Sequence, residues 1–590
     1  MIIILNFFFT ILIFLNVLGY GHLLNYRSNT SKSLILYYLN GSLILIFFSL
    51  IINFLFPLNN FITNSFFIIG IFFGINFIVK EKNKDYYLNI LLISIIVSII
   101  TFKSASYNDY ELYHLPYTEI LRKFKIIFGL SNFDPRYGHT SIFQNIVAIQ
   151  YNFVMNYDSY IYYTGISVFL SLKFLLEKFF KTQNATIFFL TITSIIYFLL
   201  HGNRYGSLGN DMPAHMFSIL CYVSFILIFL VNNFNLENEN FKIFISTLII
   251  SSLAKITLSL NALLILPILI YKKKLFYKNY KLTIFCLVIG FLFLSKNFVN
   301  TSCFIYPVSF TCLKTSWSTN KYDFSSPEYT EKMGSVMVKE FMNTDFIHNN
   351  NLNEKKLKIL IKKEKKLYET LSDQQKKYFY FFHLYNSYDN IKIWIKPYLK
   401  NHFKRKILGE VLSILFLNFA ILVLVKLYLK TSKSKEKINL IEVFLFSVLV
   451  ISLMFWFFKS PILRYGLSYV LILLNYPSLL ILKRYFGDRS FRDKCKKIFF
   501  IIFSLFFIFL ISKNLLRIYF YQESDYYSKN IVPIKNSQHK LIKKKDFEYK
   551  QPINATCGKT EPLCTVFSNE FNKSDFYMVD ENRYIIFKKN

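Results

Sequence analysis

Charge is scarce in this sequence: Asp, Glu, Lys and Arg make up 18% of 590 residues, while apolar residues make up 54% and fall into long blocks rather than short alternating patches. That balance excludes a soluble globular fold. Also missing are a Walker-type glycine-rich loop, a nucleophile elbow and a dinucleotide fingerprint, so nothing points to an ATP-driven pump or a soluble-type hydrolase. Energy must then come from the substrate or from a gradient. The first apolar block, Met1 to Tyr20, has neither a basic leading segment nor a small-residue cleavage site, and reads as a retained helix rather than a removable signal peptide.

What the chain has in abundance is apolar runs of about 20 residues, the length at which a helix crosses the hydrocarbon core with its backbone groups paired internally. The expectation is an all-α polytopic membrane protein with about 14 transmembrane helices. The spans fall near 1–20, 33–57, 60–79, 86–102, 159–176, 185–200, 213–231, 241–254, 256–271, 281–295, 407–429, 439–458, 462–482 and 498–516.

The formal net charge of +34 sits mostly on lysines in short loops between apolar blocks, which suits lipid headgroups and not nucleic acid. Basic loops at Lys80–Lys84, Lys272–Lys278, Lys426–Lys437 and Lys483–Lys497 all fall on one side of these spans. The positive-inside rule makes that side cytoplasmic and puts both termini outside. Four units follow: 1–295, an N-terminal membrane module with a first outer loop at 103–158; 296–406, an outer loop of amphipathic helices; 407–516, C-terminal membrane helices; and 517–590, a small extracytoplasmic α/β domain. Lys255, between two short spans, should face a cavity or the interface, and snorkelling is its simplest reading. Cys303 with Cys312, and Cys557 with Cys564, share outer loops, and each pair is expected to close a local disulfide; their spacing and lack of a neighbouring histidine argue against zinc.

The richest polar segment is Tyr107-Asn108-Asp109-Tyr110-Glu111-Leu112-Tyr113-His114. In a helix Asp109 lies over Tyr113, and Glu111 over His114, so one polar face can meet a cavity. A carboxylate held there could deprotonate an acceptor hydroxyl during glycosyl transfer; helix capping is the plainer alternative. Arginine numbers only 11, yet Arg-Tyr-Gly occurs at Arg136, Arg204 and Arg464, against roughly 0.02 occurrences expected from random order of 11 Arg, 43 Tyr and 17 Gly in 590 residues. Arginine's rigid fork suits a phosphate of a lipid-linked substrate, whereas the competing reading has each arginine snorkel from a helix end that the glycine terminates. His139, His201, Asn210, Asp211 and His215 lie nearby without establishing a metal site.

The order of elements resembles the GT-C glycosyltransferase superfamily. More closely, Asp109-x-x-Leu112-Tyr113-His114, Gly129-Leu130-Ser131-Asn132 and Arg136-Tyr137-Gly138 with Ser141 resemble an uncharacterised group of bacterial membrane proteins with a D-x-x-L-Y-H, G-L-x-N, R-x-G-x-x-S pattern. Lys296-Asn297, Tyr306-Pro307, Pro552, Cys557 and Pro562-Leu563-Cys564-Thr565 extend it. The resemblance implies an enzyme of the bacterial inner membrane that moves a sugar from a polyprenyl-phosphate donor to a glycan or lipid acceptor outside. Asp109 would be catalytic, Glu111, Tyr113 and His114 supporting, and Arg136, Arg204, Arg464 and Lys296 phosphate-binding. A divalent metal, common in that superfamily, stays open because no second acidic motif completes a site. The alternatives are a flippase or exporter of lipid-linked glycans, and an O-antigen-type polymerase or ligase.

Overall fold

The computed structural model describes residues 2–25, 33–81, 83–101, 110–182, 184–201, 211–230, 233–323, 325–340 and 439–485, with parts of 359–423, 493–516 and 538–589. Long apolar helices dominate it. Eight helices among the described residues are long and apolar enough to cross a membrane. They include α1 (Ile2–Asn25), α2 (Leu34–Leu55) and α3 (Asn60–Glu81), which pack as one group. Close approach there depends on glycine, since a Cβ on Gly19 of α1 would collide with the Gly70 carbonyl of α3, and one on Gly74 with the Leu15 carbonyl. Small residues four apart let membrane helices touch backbone to backbone. Tyr20 Oη then donates to Phe66 O at 2.7 Å.

After α4 (Lys84–Ile100) come short helices α5 (Leu115–Lys123), α6 (Leu130–Phe133) and α7 (Ile142–Gln150). From residue 110 onward the expected outer loop is thus largely helical structure that buries Tyr117, Tyr137 and all of α7. Next come α8 (Ser159–Thr182), α9 (Ala185–His201), α10 (Asp211–Leu230) and α11 (Phe234–Ala254). Chain 256–264 is a 3-10 segment that leads into α12 (Ile265–Tyr271), followed by α13 (Lys274–Lys278) and α14 (Tyr280–Thr301). α8 and α10 are buried along most of their length and form the centre, whereas α3 and α14 expose apolar side chains such as Phe72 and Phe291 as an outer wall.

Six expected spans are not among the eight. α4 has 17 residues. α9 has 17. α11 carries Glu237, Glu239 and Lys242 in its first turns. Chain 256–271 is divided between 3-10 and α geometry, and 407–429 and 498–516 lie largely outside the described residues.

Two further long helices, α17 (Leu440–Lys459) and α18 (Leu463–Tyr485), follow α15 (Pro327–Glu340) and α16 (Ile391–Tyr398). α16 lies over the α17–α18 turn: Tyr398 Oη donates to Pro461 O at 2.8 Å, and Trp394 packs on Phe457 at 5.5 Å. Near the C-terminus β1 (His539–Lys543) pairs antiparallel with β2 (Glu548–Pro552), and β3 (Phe576–Glu581) with β4 (Tyr584–Lys589). Among the described residues of 517–590 there is no helix, so the part seen of the expected α/β domain is strand. Lys550 of β2 also bonds the 563–565 segment, its N–H to Leu563 O at 2.8 Å.

Charge pairs mark one end of the bundle. Tyr37 donates to Glu81 at 2.8 Å, Ser33 N–H to Glu239 at 2.9 Å, and Lys272 pairs with Glu237 at 2.8 Å. Lys178 lies within electrostatic range of Glu239. Thr186 donates to Glu442, which pairs with buried Lys483 at 2.7 Å. The short loops after α3 and α12, and the end of α18, therefore share that end, while residues 110–158 cap the other.

Candidate functional site

At the capped end one short stretch ties the bundle together. Ser141 and Gln144 form a reciprocal capping box that starts α7: the Ser141 hydroxyl accepts from Phe143 N–H at 3.4 Å and Gln144 Oε1 accepts from Ser141 N–H at 2.9 Å. The same side chains reach outward. Ser141 Oγ donates to Ala254 O, the end of α11, at 2.9 Å. Thr140 donates to Asn297 of α14. Gln144 Nε2 meets His114 Nδ1 at 3.2 Å, and Asn145 Oδ1 accepts from Lys296 Nζ at 2.6 Å.

Lys296 is 1% exposed. Its ammonium sits 5.0 Å over the Tyr117 ring, and among the described residues no carboxylate faces it. An ionisable side chain inside a membrane helix is costly and marks a candidate functional position. Asn300, one helical turn on, donates to Tyr117 Oη at 3.0 Å and fixes the ring beneath it.

Arg136 is differently placed. Asp134 caps the 3-10 turn Pro135–Gly138 by accepting from Arg136 N–H at 3.0 Å, then takes the guanidinium fork: Nε to Oδ1 at 3.1 Å and Nη2 to Oδ2 at 2.7 Å. In place of a phosphate, that edge of Arg136 holds a carboxylate. Burial alone would weaken its charge, but Asp134 holds the guanidinium above its ordinary pKa; Tyr113 lies within electrostatic range as well. The C-terminal segment locks the arrangement, with Thr565 Oγ1 donating to Asp134 Oδ2 at 2.9 Å and Tyr137 Oη to Cys564 O at 2.6 Å. Cys557–Cys564 and Cys303–Cys312 are both disulfide-bonded.

Lys255 and Arg464 make a second group. Lys255, extended at φ −151°, separates α11 from the 3-10 segment. Its Nζ ion-pairs with Asp211 at the start of α10 and donates to Arg464 O at 2.8 Å. The snorkelling reading of Lys255 is thereby replaced by a specific pair, with the side chains 11% and 30% exposed respectively. The Arg464 guanidinium lies 5.1 Å over the Tyr465 ring, donates to Tyr465 Oη at 3.3 Å, and stands within electrostatic range of Asp211. Two cations thus face one carboxylate at a half-open position. Hydrogen bonds fix His215: Nε2–H donates to Arg464 O at 2.9 Å, so Nδ1 is left to accept from Ser468 Oγ at 3.0 Å.

Neither Gly138 nor Gly466 terminates a helix through left-handed geometry, and Gly206 lies outside the described residues. A Cβ on Gly138 would lie 2.6 Å from the Tyr306 ring, and one on Gly466 2.6 Å from the Trp456 ring. Each glycine seats an aromatic ring directly on the backbone after the arginine; Gly466 itself has φ −124°.

Of the residues singled out from sequence, Tyr113, His114, Arg136 and Lys296 gather around α5, α7 and α14. Arg464 belongs to the Asp211 group, which joins the first through the Ser141–Ala254 bond. The Tyr113 and His114 rings meet at a tilt, their centroids 4.2 Å apart. Asp109 and Arg204 lie outside the described residues, and of Glu111 only the backbone, in the π turn Tyr110–His114, is described. His139 is exposed, edge-on to Tyr306 at 5.3 Å. Among the described residues no group of three His, Cys, Asp or Glu side chains is placed to hold a metal ion. Asp134 and Asp211 each face a cation, so this described donor set does not fit one.

Sequence reading missed Asp134, Gln144 and Asn145. Asp134-Pro135-Arg136 carried a usable signal, because Asp before Pro is a common start of a turn that the aspartate caps.

No curated protein matches the chain. No solved structure matches it either. A family described as "Domain of unknown function (DUF8201)" matches residues 1–350, more than half of the chain, and the protein belongs to that family.

Proposed function

We propose that this protein is a membrane glycosyltransferase of GT-C-like architecture that takes a sugar from a polyprenyl-phosphate donor to a glycan or lipid acceptor on the extracytoplasmic side. One observation carries the reading: Lys255, Arg464 and Lys296 gather three cations at one end of an apolar bundle, beside the segment that follows Asp109. A lipid-linked phosphate supplies the matching anion and a tail soluble in the surrounding bilayer. The sidedness is supported by the shared end of the lysine-rich short loops, which makes the capped end external. Fourteen crossings and a bacterial inner-membrane location complete the proposal.

In the reaction Asp109 takes the proton of the acceptor hydroxyl as its oxygen attacks the anomeric carbon. The bond from that carbon to the phosphate oxygen breaks, and the polyprenyl phosphate leaves with its negative charge against Arg464, Lys255 and Lys296. Tyr113 and His114 support the segment. Arg204 is assigned to the same phosphate through its place in the α9–α10 connection, and Arg136 is assigned to holding Asp134 and the C-terminal segment.

The test supplies labelled polyprenyl-phosphate sugars to the full chain in proteoliposomes. Transfer by wild type, lowered about 10²- to 10⁴-fold in Asp109→Asn, supports the assignment. Equal transfer by both removes Asp109 from the mechanism, and movement of the lipid across the bilayer without transfer replaces the enzyme by a flippase.

A further inference from the structure

We infer that the disulfide-closed loop after α14 is an interfacial anchor that dips into the leaflet at the capped end of the bundle. The inference stands on the loop's own construction and does not use the proposed reaction.

Residues 303–313, Cys-Phe-Ile-Tyr-Pro-Val-Ser-Phe-Thr-Cys-Leu, contain no charged side chain. Their tip is apolar and uncovered: Phe310 is 89% exposed and Leu313 54%. Such a tip in water would be a liability, whereas the inner side of the loop is held, Tyr306 packing on Gly138 and His139.

The backbone is prepared for a place where water is scarce. Phe304 N–H donates to Thr311 O at 3.2 Å, Val308 N–H to Ile305 O at 2.8 Å, Cys312 N–H to Ser309 O at 3.1 Å and Leu313 N–H to Ser302 O at 2.9 Å. Thr311 Oγ1 takes the Ile305 N–H at 3.1 Å. Backbone groups paired inside the loop remove the main cost of entering a low-dielectric layer, and the Cys303–Cys312 bond holds that pairing closed.

Position points the same way. Ile284, Leu287 and Phe291 form an exposed apolar stripe on α14, between 54% and 67% exposed. Phe298, two turns beyond Phe291 on the same face, stacks on Phe304 at 5.0 Å. The loop therefore continues the lipid-facing stripe, with aromatic rings at the level where they are enriched in membrane proteins. A carboxylate borders its tip: Glu331 accepts from Ser309 Oγ at 3.3 Å and pairs with Lys459 at 3.3 Å. That pair sets the depth, placing Ser309 among headgroups and Phe310 just below.

The test is fluorescence of Phe310→Trp in the full chain reconstituted in phosphatidylcholine vesicles, with wild type subtracted to remove Trp317, Trp394 and Trp456. Lipids brominated near the headgroup should quench the added emission at least twofold, those brominated near the chain ends less, and aqueous acrylamide little. Quenching by acrylamide without bromolipid quenching puts the tip in water, and protection from both means a protein surface covers it; either result overturns the anchor, as does stronger quenching from the chain ends. Leu313→Trp is the second probe if the first lowers the melting temperature.

Discussion

Buried charge is paired at the lysine-rich end of the bundle, whereas the capped end holds both a paired group, Arg136 with Asp134, and Lys296, which meets no described carboxylate. At the end with the lysine-rich short loops, Lys483 meets Glu442 with both side chains 5% exposed, and Lys272 meets Glu237. At the capped end, Lys296 is buried against a carboxamide and a ring, and Lys255 and Arg464 share Asp211. Paired charge fixes helix positions and leaves nothing for a ligand. A buried cation that meets no described carboxylate, such as Lys296, costs stability in an empty protein, and an arriving anion would offset that cost.

The sharpest attempt to break this comparison is Glu442→Gln, which removes the carboxylate that pairs with Lys483. Thermal unfolding in detergent should fall by about 3–5 kcal/mol, and adding Lys483→Met should recover most of it. A single variant as stable as wild type would deny that this end is held by its pair.

Gly466→Ala comes next. The new methyl meets the Trp456 ring, whose Nε1–H already donates to Ile462 O at 2.7 Å, so the ring cannot easily yield. A loss of about 1–3 kcal/mol is expected, and Trp456→Leu in the same background should lessen it.

Lys296→Met should have the smallest effect on folding, within about 1 kcal/mol of wild type, since losing the buried charge offsets leaving Asn145 Oδ1 without its donor. A collapse in melting temperature would show that Lys296 is paired as the opposite end is.

Much of the fold is legible in the sequence because a membrane span needs a long apolar run, and α1, α2, α3 and α14 follow theirs closely. Apolar runs fail where geometry depends on tertiary partners: nothing local says that chain 256–264 winds as 3-10, or that Lys255 turns inward to Asp211 across 44 residues. The site is legible by residue type more than by role. Arg136 stands out by type, but its partner Asp134 lies two residues earlier, and the second anchor of that aspartate, Thr565, lies 431 residues after it. The three glycines stood out as a pattern, whereas the rings that explain Gly138 and Gly466 come from other parts of the chain.

The most direct measurement is binding of radiolabelled polyprenyl phosphate, without its sugar, to wild type, Arg464→Ala and the Glu442→Gln/Lys483→Met pair. Affinity should fall at least about tenfold, about 1.4 kcal/mol, in Arg464→Ala and stay unchanged in the pair variant. Equal affinity in all three proteins would contradict the claim that the capped end keeps its cations for a lipid-linked phosphate.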